Sequence, residues 1–196
     1  MSKFLNLNLL FVGILIILSN MIHSCSSSKT AKINVMDKDT IWYCYSDTVP
    51  ARVLKMYPDL KFPDSYLELI FENNQVKQGL FWGDTDEFDD AREGYECGFF
   101  ILSVSRIRQK GDSLFFILDA RKEKFFTSPI PLNITSSQEA IKKGCQLWDI
   151  GISDSVVSYA ARISKDSLFV RNLTFETYPP ERIFVRKEYT NSIKKE

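Results

Sequence analysis

"CGFFILSVSRIRQKGDSLFFILDA", residues 97–120, decides how the rest of the chain is read. It holds two apolar runs, 97–108 and 113–120, separated by the polar turn "QKGD". Phe, Ile, Leu and Val suit a pleated, half-buried surface, and Gly-Asp between two such runs reads as a β-hairpin. The same grammar recurs on either side. "YLELIFE" (66–72), "NNQ" (73–75) and "VKQGLFWG" (76–83) form a hairpin around a short asparagine-containing turn. "SVVSYAARIS" (155–164) and "SLFVRNLTFE" (167–176) form a third around "KD", with Val157, Tyr159 and Ala161 alternating against polar neighbours. "TIWYCYS" (40–46) precedes these hairpins and "RIFVRKEY" (182–189) follows them, both strand-like.

The second and third hairpins share a phrase. Arg106-Ile107 leads to Asp112-Ser113-Leu114-Phe115, and Arg162-Ile163 leads to Asp166-Ser167-Leu168-Phe169. The likeness fits an internal repeat or, as the favoured reading, shared hairpin chemistry: Asp favours the turn, Ser opens the strand and Leu-Phe enters the core. Phe115 and Phe169 are predicted to be core residues at equivalent positions. "SSQEAIKKG" (136–144) carries a helix signal: Ser136 as N-cap, Glu139 completing a capping box, basic residues in the last turn and Gly144 as terminator. "VPARVLKMY" (49–57) fits a strand or a helical turn.

About eight antiparallel strands and one short helix predict an all-β domain over residues 39–196. A closed or nearly closed barrel removes the exposed edges of a long meander. The layout is lipocalin-like only as loose architecture, since no lipocalin motif is present. A two-sheet β-sandwich is the alternative.

Composition narrows the function. Lysines and arginines number 25, as do aspartates and glutamates, so nothing points to nucleic acid as a partner. The chain has one histidine, His23, near its start. Beyond it, Ser-His-Asp and Cys-His chemistry and His-ligated metal sites are excluded. Catalysis would have to use carboxylates, tyrosine, lysine or cysteine. Cys44, Cys97 and Cys145 are widely spaced, without a CxxC pair, and fit either buried free thiols or a single bridge. No cofactor is expected.

The first residues concern location. Lys3 is followed by an apolar run, Leu9–Leu18, broken only by Gly13. A run of about ten residues is too short for a bilayer span, which needs about 20, and has the length of a signal-peptide core. "MIHSC" (21–25) then places Ile22, Ser24 and Cys25 as a lipobox does, with His23 in place of the usual small residue. Together with the tract Ser26–Ser28 this resembles the exported lipoproteins of Bacteroides type. The resemblance covers roughly the first thirty residues and implies a signal peptide over 1–24, lipidation of Cys25 and a tether over 25–38. It implies attachment to a membrane through lipid on Cys25. "CSSSKTAK" (25–32) carries no acid, which points to a periplasm-facing protein of the outer membrane.

"GDTDEFDDAREGYECG" (83–98) is the most heavily charged stretch. Asp84, Asp86, Glu87, Asp89, Asp90, Glu93 and Glu96 share it with a single base, Arg92. Read as a calcium loop from Asp84, it fails at Phe88, Asp89 and Tyr95, so no metal site is expected. Seven acids could not be buried together, so residues 84–96 are predicted to form a solvated loop or short helical turn at an open end of the sheet. Loops at a barrel mouth carry binding. Trp82, Glu87, Asp89, Asp90 and Tyr95 are the candidate contacts, for a small ligand or an envelope protein. Trp82 and Trp148 also fit ordinary core positions. Two further readings remain: a carboxylate hydrolase of glycosidase type with Glu87 or Glu93 as acid, and an envelope-stress or inhibitor lipoprotein.

Overall fold

The structure is a computed structural model, and it describes residues 39–49, 51–59, 61–88, 98–148, 155–176 and 179–188. The signal and tether readings, Cys25 among them, lie outside the described residues.

Eight strands follow one another: β1 (Asp39–Tyr45), β2 (Ser65–Glu72), β3 (Gln75–Asp84), β4 (Phe99–Lys110), β5 (Ser113–Asp119), β6 (Val156–Ile163), β7 (Ser167–Asn172) and β8 (Arg182–Lys187). Each pairs antiparallel with the next, and β8 returns to β1 through Trp42↔Lys187, Tyr43↔Arg186 and Cys44↔Val185, closing the barrel. The expected all-β barrel is what forms, not the sandwich. "VPARVLKMY" resolves into a helical turn, α1 (Ala51–Leu54), and the capped segment into α2 (Ser137–Lys142).

The turns follow from their residues. Asn73 and Asn74 both have positive φ (50° and 61°), as a two-residue hairpin of type I′ requires. Gly111 (φ 62°) turns the second hairpin. Ser136 accepts the Glu139 amide at 3.2 Å, and Gly144 (φ 82°) ends α2. The Glu139 carboxylate reaches one residue further back than a capping box would, accepting from the Thr135 amide at 2.9 Å.

Up-and-down topology sorts the connections by end. Tight turns β2–β3, β4–β5 and β6–β7 lie at one end. At the other the chain leaves β1, β3, β5 and β7 for the longer connections that lead to β2, β4, β6 and β8. The interior is filled by side chains: Leu67, Phe81, Phe100, Phe116, Tyr159 and Phe184 are all fully buried in one cluster. A second apolar layer covers the outside of part of the wall. Trp42, Trp82 and Ile101 face outward from β1, β3 and β4 and pack under Phe126, Ile130, Ile134 and Ala140 of the β5–β6 connection.

One expectation fails. Phe115 is 44% exposed and Phe169 is half-buried; Leu114 and Phe116, and Leu168 and Val170, point inward instead. Leu114–Leu118 is apolar at every position, so its composition does not fix which face is inner. The register does. Leu114 pairs with Ala161 and Phe116 with Tyr159, both on the buried face of β6.

Candidate functional site

The acidic segment begins where β3 ends. The strand runs through Asp84, one residue beyond Gly83, and passes into a 3₁₀ turn, Thr85–Glu87, in keeping with the expected helical turn. Thr85 pins the start of this segment to its end. Its amide donates to the Gly98 carbonyl at 2.8 Å and its hydroxyl accepts from the Gly98 amide at 3.1 Å. Gly98 has to be glycine, because a Cβ there would lie 2.4 Å from the Trp148 ring. Phe88 continues from the turn into the core, packing against Phe100 with centroids 5.0 Å apart.

Glu87 does not join a solvated loop. Its side chain is 2% exposed and turned into the barrel end. The Arg182 guanidinium grips it with two donors, Nη1 to Oε1 and Nη2 to Oε2, the second at 2.7 Å. The Tyr159 hydroxyl donates to Oε2 at 2.5 Å. The Asn172 amide donates to the Glu87 carbonyl at 3.4 Å, while its own Oδ1 accepts from the Thr174 and Phe175 amides. Arg182 lies under two rings, 5.5 Å from the Tyr45 centroid and 5.9 Å from that of Phe184. β3, β6, β7, β8 and the end of β1 therefore meet at one ionic cluster.

The solvated-loop expectation is thus corrected for Glu87. Seven acids cannot be buried together, but one can when a bidentate arginine and a hydroxyl satisfy it. Burial alone would lower the arginine's pKa; the Glu87 carboxylate beside it outweighs that and raises it. Tyr159 is raised well above its ordinary value, first by burial and then by the same carboxylate, so its hydroxyl stays protonated and donating. Burial likewise pushes Tyr45 up to about 12.

Trp82 and Glu87 are not brought together. Trp82 faces out of the barrel, its indole N–H donating to the Ile134 carbonyl at 3.3 Å and its ring 5.1 Å from that of Trp42. It is a core residue of the outer layer. Asp89, Asp90, Glu93 and Tyr95 lie outside the described residues. Among the described residues, no group of three or more His, Cys, Asp or Glu could hold a metal ion. Cys44 is buried and Cys145 half-buried, both free; Cys97 lies outside the described residues.

Arg182, Tyr159 and Asn172 are the members that sequence reasoning missed. One signal was present: Arg182 shares an inward phase with Phe184 in "RIFVRK", which puts a charge where β8 faces the core. Chemically, both carboxylate oxygens of Glu87 are already engaged, by three donors in all. The cluster is a latch that holds the acidic segment's base to the barrel.

Fold and cluster together define a filled, up-and-down β-barrel with a buried arginine–glutamate latch at its long-loop end. Comparison with protein families, with characterised proteins and with solved structures finds no match.

Proposed function

We propose that this chain is a lipid-anchored protein of the cell envelope whose barrel is a rigid head that presents its long-loop end to a protein partner. One observation carries the choice of a protein over a small ligand held inside. The interior is occupied by the protein's own aromatic side chains, and the one buried acid among the described residues, Glu87, is already satisfied. Binding then falls to the loops. There Met56 and Tyr57 are 67% and 61% exposed, with Leu54 and Phe62 beside them in the same connection. Tyr, Met and Phe at such a position are the residue types enriched where proteins meet. The base of the acidic segment, Thr85–Phe88, is latched at the same end. Lipidation rests on the "MIHSC" sequence and its serine tract.

A photo-crosslinking residue placed at Met56 or Tyr57 in living cells should form discrete protein adducts. The same residue at Lys77, near the tight-turn end, should form none. Absence of adducts from both rim positions would remove the partner reading. Cys25→Ser should abolish detergent partitioning; a correctly cleaved variant that stays membrane-bound would remove the lipid anchor.

A further inference from the structure

The outer layer covers the wall on the β1, β3 and β4 side. On β5 to β8 the outward positions have a composition of their own. These four strands contain a single acid, Asp119, and it is taken by Arg121 at 2.5 Å. Arg162, Arg171 and Lys187 project from them, all exposed, and Arg108 and Lys110 extend the row on β4 opposite Phe115 and Ser113. Apolar side chains stand between the charges. Phe115, Ile183 and Val185 are 44%, 49% and 48% exposed. Phe169 lies across from Ile183 in register, with the Arg162 guanidinium 4.0 Å over its ring. An ordinary solvated wall mixes both signs of charge and hides its aromatics. This one is basic and apolar in a protein of zero formal net charge, with exposed acids, among the described residues, only at its strand ends and turns, Asp112, Asp166, Glu181 and Glu188 among them.

We propose that this wall, the outward face of β5–β8, lies against the anionic surface of the membrane leaflet to which the chain is tethered, an inference that rests on the lipid-anchor reading of Cys25. Charge complementarity selects the occupant: lysine and arginine meet lipid phosphates while Phe115, Ile183 and Val185 enter the interface. Chain geometry permits it. The stretch from Cys25 to Asp39 spans at most about 50 Å. It enters the barrel at β1, the direct neighbour of β8. The wall is thus held at high effective concentration over the leaflet, and weak individual contacts suffice.

The test uses the chain from residue 25 onward with Cys25→Ser, so that no lipid contributes; every ladder of the barrel lies within residues 39–187. It is sedimented with vesicles of phosphatidylcholine alone or with one-third phosphatidylglycerol. Binding to the anionic vesicles only, weakened by salt, is expected. Each basic residue at an anionic surface contributes about fivefold, so loss of two positive charges alone should lower partitioning roughly 25-fold, and the charge reversals of R162E/R171E by more. R108E/R171E, which leaves the Arg162–Phe169 stack in place, guards against misfolding of the first variant. Equal binding to both vesicle types, or anionic binding unchanged in both variants, would overturn the proposal. So would capture by polyglutamate without vesicle binding, which would make the partner an acidic protein. Because no lipid is attached, failure here leaves the anchor and rim readings standing, and their failure leaves this result standing.

Discussion

Glu87 and Arg182 are 95 residues apart in sequence and share one pair of charge-assisted hydrogen bonds in the barrel end. Such a pair stabilises only while it is complete, because either charge alone would be stranded in apolar surroundings. Arg182→Ala is therefore expected to cost about 3–5 kcal/mol in a denaturant melt. Tyr159→Phe removes one bond to a charged acceptor and should cost less, about 1.5–3 kcal/mol. The double variant Glu87→Leu with Arg182→Met should regain most of what Arg182→Ala loses, since no charge is then left buried. A double variant as unstable as the single would show that the ion pair is not what the barrel end depends on. The neighbouring phenylalanines make a second contrast. Phe116 is fully buried and stacks on Tyr159 with centroids 4.9 Å apart, whereas Phe115 faces outward. Phe116→Ala should cost about 3–5 kcal/mol and Phe115→Ala under about 1 kcal/mol. Equal losses at the two sites would contradict the register of β5 on β6.

Elements were legible where their signals are local. The Asn73-Asn74 turn and the cap of α2 are specified within a few residues, and each appears where the sequence places it. The β4 bulge was not legible. Its register shifts between Ser105 and Arg108, and Arg106 takes a positive φ of 49°, with no glycine or proline to announce it. α2 also gives a pH test. Hydrogen bonding by the Thr135 amide, then the Lys143 ammonium, holds the Glu139 carboxyl well below the usual carboxylate range, to about 2. A folded-state pKa below the unfolded one means stabilisation that is present at neutral pH and lost as pH falls, here between about 4.5 and 2. Glu139→Gln should lower stability at neutral pH and flatten that acid limb, leaving the two proteins alike near pH 2. A gap between their melting temperatures that is the same at pH 7 and pH 2 would remove Glu139 as the titrating cap.

At the scale of the molecule, the sequence made closure reasonable without naming the strands that achieve it. Hairpins are local and three of them could be read in series; the β1–β8 pairing joins the two extremes of the described domain and has no local mark. The same distance hid the site, since the residue completing Glu87 lies on the last strand. β8 therefore carries three tasks. It closes the ladder between β1 and β7, supplies Phe184 to the core and supplies Arg182 to the latch. Ending the chain before Arg182 should undo all three together. β1 and β7 would present unpaired edges, which template association with other chains. Glu87 would lose its countercharge, and the Phe184 site would be an apolar hole. The truncated protein is expected to lose its cooperative thermal transition and to form large species in size-exclusion light scattering. A synthetic peptide of residues 179–196 added in trans should restore part of both. A truncated chain that stays monomeric and melts cooperatively near the full-length temperature would mean that the barrel is held by its other seven strands, and that β8 is an accessory to the fold.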